Sequence, residues 1–338
     1  MSPLAAPRTR PRAALAAAAT AVTALALAAC TSTTGVRPVA GQATASGVVG
    51  SPGAPGGTSP GGPVASTAPS PSALTAEAYR AELQQARGPV RDALRKVADT
   101  GGLKNLDKRI GQAATAVSEA ASRLETLAAP PELAVQHATY LDALRAFGAA
   151  LDGARPDVLA QETCTGPAVL TKLDRAGDLA DMKEAAAALT GYPADVVSVK
   201  AAKQKTRRLS NGKIIQSESR TGRGSMKVHN GGSRDAVVVV MRGKKKAFSL
   251  YVRKKAKATV PGVRDGSYRV FYTTGTDWDS GAKAFTRSCG FTEFGKSVKF
   301  RTTRSGGYIR WNNWTLTLHA VKGGTVRSKP VDPDKFPN

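Results

Sequence analysis

This chain of 338 residues is short of the side chains from which most catalytic and metal centres are built. It has three cysteines and three histidines, and aromatic residues make up 5% of it. His137, His229 and His319 stand far apart, in segments of different pattern. No H-E-x-x-H occurs, nor an S-x-x-K with its partner motifs, and no phosphate-cradling glycine loop opens a helix. The expectation is therefore a non-catalytic protein without a cofactor, although a triad can also be assembled from distant residues. Acidic residues are scarce as well: 25 Asp and Glu stand against 49 Lys and Arg, a net charge of +24. Long apolar runs are missing; the one uncharged stretch near the start, residues 13–27, is too short to remain as a membrane-spanning helix.

What is present begins with that stretch. Arg8, Arg10 and Arg12 precede it, and Leu27, Ala28, Ala29 and Cys30 follow in the order leucine, small, small, cysteine. A positive start, an apolar middle and small residues at the end form the layout of a secretory signal. The last four residues resemble the lipobox of bacterial lipoproteins. That resemblance implies a signal peptide over residues 1–29, cleavage before Cys30 and a diacylglycerol on its sulfur. It also implies an extracytoplasmic protein, lipid-anchored to the outer face of the cell membrane. A plain secretory leader with a cysteine near its cut is the other reading.

Of residues 31–72, 35 of 42 are Gly, Ala, Pro, Ser or Thr, a composition that cannot bury a core. Residues 30–72 are expected to be a disordered tether, about 35 Å across as a random coil and on the order of 130 Å if stretched as polyproline. Helical spacing then takes over. Thr75 looks like an N-cap, and a helix should run toward residue 100, broken or kinked at Gly88-Pro89. Leu103, Leu106, Ile110, Ala114, Val117, Ala121, Leu124 and Leu127 recur at steps of three and four, one apolar stripe. A third helix should follow Pro130-Pro131, and a fourth stretch covers residues 166–189, with Gly177 as its break. Short connections favour an antiparallel bundle over residues 73–190. Residues 191–223 are polar and basic, and suggest an exposed linker.

The pattern changes at residue 225 to short β-branched runs between glycine turns. The expected strands are 225–229, 236–242, 247–253, 258–260, 267–274, 284–288, 298–303 and 308–321. So many strands without an intervening helix indicate an antiparallel β-sandwich over residues 224–325, with residues 326–338 as a tail. The stretches GRGSMKVHNGGSRDAVV, VPGVRDGSYRVFYTTGTDWD, FTRSCGFTEF and WTLTLHAVKGG resemble a β-domain from the C-terminal end of bacterial envelope proteins. The helical part is similar to regions of actinobacterial surface lipoproteins. Together they imply an envelope setting and an Ig-like or prealbumin-like sandwich in a multidomain α plus β chain; they imply no activity.

Charge divides along the same boundary. Residues 73–190 hold 14 Lys and Arg against 16 Asp and Glu; residues 191–338 hold 31 against nine, a net of +22. Such asymmetry predicts an anionic partner for the C-terminal part alone. The candidate contacts are Lys244, Lys245 and Lys246, then Arg253, Lys254 and Lys255 at the other end of one expected strand, and Lys299 and Arg301 further on. The partner chemistry that fits is an anionic cell-wall polymer or anionic lipid head groups, held by salt-dependent contacts; outside a cell, nucleic acid is not the expected partner. A basic surface kept for solubility is the alternative.

Three further groups are ambiguous. Cys164 and Cys289 are left over once Cys30 is lipidated; they could pair, stapling the two halves, or stay apart as small buried residues. Neither has a second ligand at zinc spacing. Asp277 and Asp279, followed by Gly281, could open a calcium loop, but Ser288 stands where such a loop ends in Glu, so a turn holding backbone N–H groups is the preferred reading. Tyr308, Trp311 and Trp314 could form a stacking platform, against core filling for Trp314 and a covered strand edge for Trp311. The expectation for function is adhesion or scaffolding at the envelope. Recruitment of an unknown protein partner by the helices, or hydrolysis of wall components, are the alternatives.

Overall fold

The Thr75 hydroxyl accepts a hydrogen bond from the Ala78 N–H at 3.2 Å, and helix α1, Ala76–Ala98, starts there. The computed structural model describes residues 72–319 and 327–337. The leader, Cys30 and the tether up to residue 71 lie outside the described residues, as do residues 320–326. Helix α1 passes through Pro89 without ending. Of the break or kink expected at Gly88-Pro89, no break occurs, because Tyr79, Leu83, Ala86, Val90, Leu94 and Val97, on both sides of it, bury in one core. Continuing the helix buries them all, which outweighs the one backbone hydrogen bond that proline removes.

Helix α2, Leu106–Glu125, puts the expected stripe inside: Leu106, Ile110, Val117 and Leu124 are fully buried. Helix α3, Ala134–Leu159, follows Pro130-Pro131 and lies against α2, to which Arg155 ties it through a two-pronged bond to Asp107 at 2.8 and 3.1 Å. Helices α4, Gly166–Ala176, and α5, Asp178–Ala188, meet at Gly177, whose φ of +98° suits glycine.

Twelve strands follow among the described residues. One sheet joins β1 (Ile214–Ser217), β4 (Lys245–Val252), β3 (Asp235–Arg242), β6 (Gly266–Asp279), β7 (Ala284–Phe294) and β12 (Ser328–Pro330) in that order, with β8 (Val298–Phe300) beside the start of β6. All its pairings are antiparallel. A second sheet is ordered β11 (Trp314–Thr317), β2 (Gly224–Asn230), β5 (Ala256–Val263). Here β11 runs parallel to β2, a departure from the wholly antiparallel arrangement expected. The third is a two-stranded hairpin of β9 (Thr302–Ser305) and β10 (Tyr308–Trp311). The described chain is thus a mixed α+β protein, five helices followed by a largely antiparallel β region.

The large sheet is buried on both faces. Val238, Val240, Phe248, Leu250 and Val270 share a core with Met226, Val228, Val260 and Leu316 of the three-stranded sheet. On the opposite face Val237, Val239, Tyr251, Phe271, Trp278 and Phe285 pack with Cys164, Cys289 and Phe336. Strand β3 therefore reads Ala-Val-Val-Val-Val with no polar alternation, as a strand covered on both sides must.

Two segments depart from their sequence reading. Residues 191–223 are not only an exposed linker: Ile214–Ser217 form an edge strand on β4, and Arg207 and Arg208 pair with the buried Asp277 and Asp235. The single last strand expected over residues 308–321 is split, its halves β10 and β11 belonging to different sheets. Asn312 and Asn313 make the break; Asn312 accepts from the Arg301 N–H at 2.7 Å and donates to the Lys299 carbonyl at 2.8 Å, and Asn313 accepts from the Ser225 N–H at 2.8 Å.

Candidate anion-binding surfaces

The few carboxylates of the β region are already engaged within the fold. Asp235 accepts both prongs of Arg208 at 2.6 Å, the Tyr251 hydroxyl and the Lys254 N–H. Burial pushes this carboxyl up, but those donors outweigh it and hold the group below its usual value. Asp277 is 4% exposed and holds Arg207 through its N–H, Nε and Nη2 at 2.7, 2.9 and 2.9 Å, with the Thr286 hydroxyl at 2.8 Å. Burial raises Asp277 as well, and the same donors bring it below the ordinary carboxylate range. Asp279 takes the remaining prong of Arg207 at 2.8 Å and caps the N–H groups of Gly281 and Ala282. Where a calcium ion was one candidate, a guanidinium supplies the positive charge. Glu218 pairs with Arg242 and Glu293 with Arg269, at 2.8 and 2.6 Å.

The cations proposed as polymer contacts are free of such partners. None of Lys244, Lys245, Lys246, Arg253, Lys254, Lys255, Lys299 and Arg301 forms an ion pair among the described residues. Lys244 and Lys245 are exposed at the tight β3–β4 turn, where Gly243 has φ +60°. Lys254 and Lys255 are exposed beyond the far end of β4, so the two groups are separated by the length of that strand. Three members are less available. Lys255 donates through Nζ to the Gly231 carbonyl at 2.6 Å. Lys246 is half-buried, and burial, with Lys283 nearby, lowers its pKa. Arg253 donates through Nε to the Leu209 carbonyl at 2.9 Å, bracing the chain that carries Arg207 and Arg208. Lys299 and Arg301 are exposed at the root of the β9–β10 hairpin.

The helical and β regions are joined along β7. Cys164 and Cys289 form a disulfide with their Cα atoms 6.3 Å apart. Beside it the Cys164 N–H donates to the Thr286 carbonyl at 2.9 Å, and the N–H groups of Ser288 and Cys289 donate to Glu162 and Gln161 at 3.0 and 2.9 Å. A cleft of about 410 Å³ opens next to this joint, between α4 and the adjoining ends of β6 and β7. Its rim carries Lys172, Arg175, Lys203, Lys205, Arg207 and Arg287, but most are committed: Lys172 to Asp157, Arg175 to Gln204, Arg207 to the two aspartates and Arg287 to the Lys205 carbonyl. The cations of the cleft are therefore largely engaged within the fold.

The hairpin is different in kind. Tyr308, Ile309 and Trp311 are 71%, 37% and 47% exposed, although Trp311 was expected to cover a strand edge. Trp314 is partly buried against the core, its Nε1–H donating to the Lys299 carbonyl at 2.8 Å. The basic side chain of Arg223 lies over the Trp311 ring, 5.8 Å from its centre. The sequence reading set Arg207 and Arg208 aside as linker charges; only the later Asp277 and Asp235 could have signalled their role, and nothing local connects them. No protein-family model, curated protein or solved structure matches the chain. No helix among the described residues is long and apolar enough to cross a membrane.

Proposed function

We propose that this chain is a non-catalytic lipoprotein of the cell envelope, held at the outer face of the membrane through Cys30. In this reading a helical bundle carries a basic β-sandwich, Ig-like or prealbumin-like, that binds anionic wall polymer or lipid head groups as an adhesion or scaffold element. One observation supports it above the rest. Asp235, Asp277, Asp279, Glu218 and Glu293 are paired with Arg207, Arg208, Arg242 and Arg269, while the exposed Lys244, Lys245, Lys254, Lys255 and Lys299 form no ion pair among the described residues. A basic surface kept only for solubility gains nothing from gathering its acids onto a few arginines. Unpaired lysines, by contrast, release counterions when phosphates replace them, the ordinary source of salt-dependent polymer binding.

The test is a four-site variant, Lys244→Gln, Lys245→Gln, Lys254→Gln and Lys255→Gln, in the chain carrying Cys30→Ala. Its affinity for polyglycerol phosphate at low salt should fall at least tenfold, with the circular dichroism spectrum unchanged. Undiminished binding would remove these lysines from the account.

A further inference from the structure

The β9–β10 hairpin presents exposed apolar side chains to water on a hydrogen-bonded base. Its turn, Gly306-Gly307, has φ values of +56° and +78°, the pair of left-handed residues that a two-residue hairpin turn favours. Registered pairs place Ile309 opposite Arg304 and Trp311 opposite Thr302 on one side, Tyr308 opposite Ser305 and Arg310 opposite Thr303 on the other. No side chain of residues 303–311 is buried. An isolated two-stranded hairpin is marginal in water, and this one gains little from apolar burial. What holds it is polar: Asp265 accepts from the Thr302 N–H and hydroxyl at 2.8 and 2.9 Å, and Asn312 clamps Arg301 and Lys299. The root is organised, and β10 keeps its apolar residues bare from the turn back to the root.

From this placement we infer that the hairpin is a membrane-docking element, in which Tyr308, Ile309 and Trp311 enter the head-group boundary of an anionic bilayer while Arg223, Arg301, Arg304 and Arg310 meet its phosphates. Tyrosine and tryptophan suit that boundary because each has an apolar body and a polar tip. Ile309 decides between the anionic partners. A polyol phosphate polymer offers an isoleucine nothing, whereas the acyl boundary removes it from water. The four arginines have no carboxylate partner among the described residues, so the patch is complementary to a negative surface. The inference deepens the proposed function and rests on its anionic partner.

The experiment uses the full chain with Cys30→Ala, so that no lipid is attached, and compares it with the same chain carrying Ile309→Ser and Trp311→Ser. The probes are phosphatidylglycerol vesicles, phosphatidylcholine vesicles and soluble polyglycerol phosphate. With phosphatidylglycerol, Trp311 emission, isolated by subtracting the Trp311→Phe spectrum, should move to the blue and be quenched by brominated acyl chains. The double variant should bind those vesicles roughly ten- to a hundredfold more weakly, from the burial of two side chains at 1.4 kcal/mol per decade. Its polymer binding should stay within about twofold. Vesicle binding undiminished in the double variant overturns the docking role, as does a parent chain that binds the polymer but not the vesicles; the latter leaves the proposed function standing. Binding to neither at low salt overturns both. A blue shift that grows with protein concentration in the absence of vesicles assigns the tip to a second copy of the chain, and also overturns the inference.

Discussion

At the scale of single residues, the pairing of Arg207 with Asp277 shows how the β region handles its few acids. Asp277 is buried and surrounded by donors, and its charge is compensated only while Arg207 stays in place. Asp277→Asn leaves that guanidinium half-satisfied and should cost about 2–3 kcal/mol in chemical denaturation, toward the lower end for broken buried pairs because Arg207 is partly exposed. The pH dependence has a definite sign. Since the folded carboxyl titrates below its usual 3.8, its contribution is complete above that value and is lost as pH falls through the folded pKa. The variant should show a shallower loss of stability in that acid window than the parent. An equal loss in both would mean that Asp277 adds nothing there.

At the scale of elements, local rules were legible wherever neighbours in sequence decide the outcome. The Thr75 cap, the buried stripe of α2 and the turn at Gly177 follow from spacing and from single-residue preferences. Where distant packing decides, the same rules failed. Pro89 did not break α1, because residues on both sides of it share one core. The segment from residue 308 was not one strand, because Asn312 and Asn313 bond to residues far away in the chain. Arg207 and Arg208 looked like linker charges because their partners lie 70 and 27 positions on. The joint along β7 belongs to this second kind. Its disulfide closes a separation of 125 residues, so removing it with Cys164→Ala and Cys289→Ala should cost about 2–4 kcal/mol. Guanidinium unfolding of the parent with and without reductant checks this independently. A midpoint unmoved by reduction would show that the surrounding hydrogen bonds and core carry the joint alone.

At the scale of the molecule, the unequal division of charge organises the account. A near-neutral helical part precedes a β region with a net charge of +22 over residues 191–338, and most of its cations form no ion pair among the described residues. Charge of this size acts over about a Debye length, roughly 8–10 Å at physiological salt, so an anionic surface is felt just before contact. The lipid anchor proposed at Cys30 would keep that charge near such a surface and raise its effective concentration there. The most direct measurement is the affinity of the chain carrying Cys30→Ala for polyglycerol phosphate across a salt series from about 20 to 300 mM. The account predicts binding at low salt whose logarithm falls linearly and steeply with the logarithm of salt concentration. No binding at low salt, or an affinity indifferent to salt, would contradict it.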